Sequence, residues 1–157
     1  MSEKTTSETS LKLTRVFKAP RERVYNAFLD PDAYAKWLPP AGFTAKVYKM
    51  EPRVGGKYRM SFTSLDKKES HAFGGTYLEL KQNEKIVHSD LFETEQPEMK
   101  GEMRVTITFK DVPGGTEVTV VHDGIPKVIG AKNATLGWKS SLQNLASLVE
   151  IEASAGA

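Results

Sequence analysis

From Leu11 to Lys18 the apolar residues Leu11, Leu13 and Phe17 alternate with Lys12, Thr14 and Lys18, the period of two that buries one face of a strand. Ala19-Pro20 ends it, and Val24, Tyr25, Phe28 and Leu29 then recur at helical spacing as far as Asp30, with Pro20 where a first helical turn tolerates proline. Asp30-Pro31 starts a second short helix through Trp37, and Pro39-Pro40 stops it, because proline disfavours a helical residue before it. Six further alternating runs follow: Thr44 to Met50, Lys57 to Thr63, His71 to Lys81, Lys85 to Glu93, Glu102 to Lys110 and Thr116 to His122. Gly55-Gly56, Leu65 to Lys68, Gln82-Asn83-Glu84, Pro97 and Pro113-Gly114-Gly115 lie between them and supply turn conformers or loop polarity. After Gly124 and Pro126 the period changes. From about Lys132 to Glu152, Trp138, Leu142, Leu145, Leu148 and Val149 follow a three-and-four spacing, the apolar stripe of one long helix.

Strands in succession without intervening helices pair as an antiparallel meander. The pattern therefore predicts an α+β domain, a curved seven-stranded antiparallel sheet wrapped around a long C-terminal helix, with two short helices after the first strand. Residues 1–10 are polar and read as a disordered tail, residues 11–152 as one domain and residues 153–157 as a flexible end.

Composition narrows the function classes. The 22 Lys and Arg against 20 Asp and Glu leave a net charge of +2 without clusters, so no cationic footprint for a phosphate backbone is present. The chain has no Cys, which removes disulfides, Cys-ligated zinc and thiol nucleophiles, and suits a reducing compartment. No run approaches the ~20 apolar residues of a membrane span, so a cytoplasmic location is expected, as a monomer or homodimer.

Five motifs occur in order: Lys36-Trp37-Leu38-Pro39-Pro40, Val54-Gly55-Gly56-Lys57-Tyr58, Gly74-Gly75-Thr76-Tyr77-Leu78-Glu79-Leu80, Gly115-Thr116-Glu117-Val118-Thr119-Val120, and Gly137-Trp138 with Leu142 and Leu145. Together they resemble the SRPBCC superfamily, also called START-like or Bet v 1-like, and within it proteins related to the C-terminal domain of the activator of heat-shock protein 90 ATPase. The likeness runs from about Leu11 to Ile151. It implies the helix-grip fold, a deep cavity between sheet and final helix, and binding of hydrophobic molecules in various members. It does not imply one function, since carriers, cyclases, resistance proteins and a co-chaperone domain share the fold.

Within that frame Tyr58, Met60 and Phe62 share one strand face, and Phe73 and Tyr77 join it if the next strand closes a hairpin. Aromatics and Met suit an adaptable pocket and an ordinary core alike. Trp37 near a possible pocket mouth, and Trp138 and Leu142 on the final helix, complete the apolar candidates. His122 alternates with Val118 and Val120, so it should face inward, either as a hydrogen-bonded core histidine or as a donor, general acid or general base toward a ligand. A tight turn at Asn83-Glu84 would set His88 opposite Glu79 and bring Glu79, His88 and Asp90 to one face as a polar cluster. The three histidines lack metal-ligand spacing, and neither a metal nor a cofactor is expected. Three functions follow: binding of a small hydrophobic or aromatic molecule, a co-chaperone of heat-shock protein 90 acting in the stress response, or a cyclase or hydrolase using the cavity.

Overall fold

The computed structural model describes residues 9–155, with side chains through residue 150. Its elements are β1 (Ser10–Phe17), α1 (Arg21–Ala27), α2 (Pro31–Trp37), β2 (Phe43–Met50), β3 (Lys57–Ser64), β4 (Ser70–Lys81), β5 (Lys85–Phe92), β6 (Met103–Val112), β7 (Gly115–Asp123) and α3 (Gly130–Ala155), with a 3-10 turn at Pro97–Met99 between β5 and β6. The tail expected over residues 1–10 lies outside the described residues as far as residue 8, and β1 takes in Ser10. The flexible end expected over residues 153–157 likewise falls where side chains are not described, and α3 runs to Ala155.

The seven strands form one sheet in the order β1-β7-β6-β5-β4-β3-β2, every neighbouring pair antiparallel. Strands β2 to β7 are the expected meander, and β1 closes on β7, so the first two strands lie at opposite edges and α1 and α2 span the distance between them. Asp30 caps α2 by accepting from the Asp32 amide, with Pro31 in the first helical position, where its missing N–H costs nothing.

Two devices bend the sheet. Extra residues are accommodated at Tyr48 in β2 and Leu78 in β4, where the register slips by one, and such bulges sharpen strand curvature. Gly74 and Gly75 lie mid-strand in β4, where a Cβ would sit 2.2 Å from the Tyr58 carbonyl oxygen and 2.0 Å from that of Ser89. Only glycine permits the neighbouring backbones to come so close.

One end of the space inside the curve is solidly filled. Tyr25 and Phe28 of the α1 region meet Phe109 edge-to-face, each with centroids 5.3 Å apart, and Trp37 packs on Phe28 at 4.6 Å. Leu142, Leu145, Ala146 and Val149, from the second half of α3, complete this core with Met60, Ile107, Val118 and Val120. The first half of α3 presents Ala134, Gly137 and Ser141 to the sheet instead, and these small residues leave room.

Candidate functional site

The room is a cavity of about 470 Å³ at the other end of the fold. Its aromatic wall crosses four strands: Phe43 of β2 lies 6.2 Å from Phe62 of β3, Phe62 4.9 Å from Phe73 of β4, and Phe73 6.4 Å from Phe92 of β5, centroid to centroid. Opposite stand Trp138, Gly137 and Ser141 of α3, while Tyr34 and Leu38 close the side toward α2. The loop after α2 is tied down by α3: Ser141 Oγ donates to the Leu38 carbonyl, Asn144 Nδ2 donates to the Pro39 carbonyl at 3.1 Å, and the Ala41 amide donates to Ser140 Oγ at 2.9 Å.

Polar groups are few and connected, as in a site that orients an apolar ligand. Tyr58 Oη donates to Asp90 Oδ1 at 2.8 Å, and the Leu91 amide donates to the same oxygen at 3.1 Å. His88 Nδ1 lies 2.9 Å from the Ser89 carbonyl, which can only accept, so Nδ1 carries the proton and Nε2 the lone pair. Among the described residues no group bonds Nε2, yet it is not sealed off, so on a residue that borders the cavity it is open to a ligand. Tyr34 stands close to Asp90 and Tyr77, and among the described residues its hydroxyl also bonds no group.

Burial governs the titration of these groups. It pushes the Asp90 carboxyl up to about 7, with the Tyr58 hydroxyl and the Leu91 amide pulling the other way. It lowers His88 to about 4, against the bond to Ser89, and raises both Tyr58 and Tyr34 well above the ordinary phenol. On the α3 side Trp138 Nε1 donates to His122 Nδ1 at 3.1 Å, which fixes the neutral tautomer with Nε2–H directed at Met103 Sδ, 3.3 Å away. Burial first, and then His88, bring His122 down to about 4.

Of the residues singled out from the sequence, Tyr58, Phe62, Phe73, His88, Asp90, His122 and Trp138 border the cavity. Trp37, Met60, Tyr77 and Leu142 do not: they belong to the packed core. Trp37 is fully buried and donates to the Ala27 carbonyl at 2.8 Å, away from any mouth. The expected grouping of Glu79 with His88 and Asp90 also needs correction. The loop at Gln82-Asn83-Glu84 has three residues, with Asn83 at φ 63°, and the bulge at Leu78 shifts the register again, so His88 faces Tyr77. Glu79 pairs with Val87 and reaches Lys85 at 3.4 Å on the outer surface. His122 faces Val105, as the turn at Pro113-Gly114 requires. Its lone pair is taken by Trp138, which leaves little for the work of a general base.

Sequence reasoning passed over Tyr34, Phe43, Phe92 and Met103. Phe92 was within reach, two residues beyond Asp90 and four beyond His88 on one strand face. Among the described residues no group of three His, Cys, Asp or Glu side chains could hold a metal ion, and no helix is long and apolar enough to cross a membrane.

Comparison with known proteins now decides the family, because the profile of the Activator of Hsp90 ATPase homolog 1-like proteins matches residues 18–150. The chain belongs to that family. A solved structure from Chromobacterium violaceum is 46% identical, with a TM-score of 0.88 over 92% of this chain and 99% of that one. A Rhodobacter sphaeroides structure (23% identity, TM-score 0.80, 93% and 95% of the two chains) and one from Staphylococcus epidermidis (23%, 0.78, 93% and 92%) share the fold. No curated protein matches the chain significantly. Membership of the Activator of Hsp90 ATPase homolog 1-like family and its Bet v 1-like fold support a ligand-binding domain.

Proposed function

We propose that this protein binds a small, largely apolar molecule inside the cavity between β2 to β6 and the first half of α3. The cavity itself carries the reading. Its volume of about 470 Å³ falls within the range of small-molecule sites, and an aromatic wall surrounds a few convergent polar groups. Affinity would come from burying apolar ligand surface at about 25 cal/mol per Å², and orientation from Tyr34, Tyr58, His88 and Asp90.

Native mass spectrometry of the protein as purified from cells, joined to a thermal-shift screen with lipids, flavonoids and polyketides, tests this. A bound small-molecule mass, or a rise in melting temperature with at least one class, is the expected result. A protein that stays ligand-free and unshifted across the panel removes the reading.

The family's name motivates a second reading, stimulation of the ATPase of heat-shock protein 90. A pull-down with the chaperone followed by an ATPase assay checks it, and absence of both binding and stimulation discards it.

A further inference from the structure

The polar inventory of the cavity is lopsided. Among the described residues no Lys or Arg borders it, whereas two carboxyl side chains, Asp90 and Glu93, do. Arg59 is the nearby cation to consider, and Glu93 occupies it in a two-pronged pair, Nε to Oε2 at 2.6 Å and Nη2 to Oε1 at 2.9 Å. The histidines are no substitute. His88 has its proton on Nδ1, spent on the Ser89 carbonyl, His122 spends its own toward Met103, and His71, on the exposed part of the lining, sits beside the Glu69 carboxylate at 3.9 Å. Apart from the Thr94 hydroxyl and the exposed Gln96 amide after β5, what the wall offers a ligand is acceptors: the open lone pair of His88 Nε2 and, above its raised titration, the Asp90 carboxylate, with the Tyr34 hydroxyl able to act either way.

We infer that the cavity selects an uncharged aromatic molecule carrying a hydrogen-bond donor, such as an aromatic hydroxyl, and rejects carboxylates of the same size, fatty acids included. The inference rests on the binding function proposed above and names its ligand class. A hydroxyl entering between Tyr34, His88 and Asp90 donates to His88 Nε2 or to Asp90 and accepts from Tyr34, exchanging water for matched partners. A carboxylate in the same place brings acceptors to acceptors. It loses its hydration, finds no cation to replace it and meets the field of Asp90. The ring system meanwhile stacks among Phe62, Phe73, Phe92 and Trp138, which are indifferent to charge at the far end.

A matched series separates the outcomes: pyrene, 1-hydroxypyrene and 1-pyrenecarboxylate, each titrated by its own fluorescence against the whole protein at about pH 8, above the raised titration of Asp90. 1-Hydroxypyrene is expected to bind at least tenfold more tightly than the carboxylate. His88→Phe, which removes the open acceptor and keeps a ring, should weaken 1-hydroxypyrene severalfold and leave pyrene within a factor of two. Asp90→Asn, which removes the negative charge and supplies an amide donor, should narrow the gap between hydroxyl and carboxylate. The wild-type comparison stands even where a variant fails to fold. Carboxylate binding as tight as that of 1-hydroxypyrene, or tighter, overturns the donor rule and leaves cavity binding in place. Failure of all three probes to bind counts against both.

Discussion

Three titratable side chains of the cavity wall, the buried His88 and the part-buried Asp90 and His122, pull the acid stability of the protein in opposite directions. Asp90 is raised from the usual carboxylate value to about 7, so between about pH 4 and 7 the folded protein keeps a proton that the unfolded chain releases. Its contribution is full at low pH and is lost as the pH rises through that window. The histidines behave oppositely. Each is lowered from 6.5 to about 4, so their contribution is full above pH 6.5 and is lost as the pH falls toward 4. In the shared window unfolding takes up two protons at the histidines and releases one at Asp90, a net uptake of one. From these three groups, stability should therefore fall as the pH drops from 6.5 to 5, by on the order of 1 kcal/mol per pH unit. Asp90→Asn removes the opposing proton, so the slope should roughly double. Urea denaturation at four pH values in this range measures both slopes, and equal slopes for the two proteins would contradict the assignment of the raised carboxyl to Asp90.

At the scale of elements, β4 and α3 show what the sequence displayed and what it hid. The alternation in β4 is legible because inward and outward positions must differ, but Gly74-Gly75 and the bulge at Leu78 interrupt it for reasons that lie in neighbouring strands. A Cβ at position 75 would meet the Ser89 carbonyl oxygen at 2.0 Å, and that backbone cannot swing aside as a side chain can. Gly75→Ala should destabilise the protein by about 3 kcal/mol, at the upper end of ordinary overpacking, read as a fall in the denaturant midpoint. The expected polar cluster fails at the turn. Three residues rather than two separate Lys81 from Lys85, which sets Glu79 opposite Val87 and off the face of His88, and nothing in Gln82-Asn83-Glu84 announces which length the loop takes. The helix α3 reads as one uniform stripe, yet its second half packs into the main core, whereas its first half packs at Ala131 on Leu11 and Ile125 and borders the cavity at Ala134, Gly137 and Trp138. Periodicity reports which side of an element faces inward. It cannot report how far along that side the neighbouring helices reach, so Met60, Tyr77 and Leu142 carry the same signal as Phe62, Phe73 and Trp138.

For the whole molecule the cavity sets stability against function. The curved sheet is filled at the end where α1 and α2 pack and hollow at the other, and a hollow lined by Phe, Tyr and Trp forgoes contacts that a filled one would make. Gly137 marks the trade. It lies within α3 on the cavity wall, a Cβ there would meet nothing within 4 Å, and glycine inside a helix costs about 1 kcal/mol relative to alanine. Gly137→Leu should raise the melting temperature while cutting the affinity for an aromatic probe at least tenfold. A scan paired with a titration measures both, and a more stable variant that binds as well as the parent would show that the ligand occupies some other surface. A ligand at one hundred times its dissociation constant should in turn stabilise the parent by about 2.7 kcal/mol.

The two indoles of the chain have contrasting surroundings. Trp37 is sealed in the core and bonded to the Ala27 carbonyl, whereas Trp138 stands on the cavity wall with its N–H on His122. Ultraviolet excitation therefore reaches one emitter whose environment is constant and one whose environment changes with the cavity's contents. An apolar guest displacing water beside Trp138 shifts only that half of the emission to the blue. Protonation of His122 removes the acceptor from the same indole and places a quencher beside it. The protein carries its own optical gauge of occupancy, with Trp37 as the internal standard.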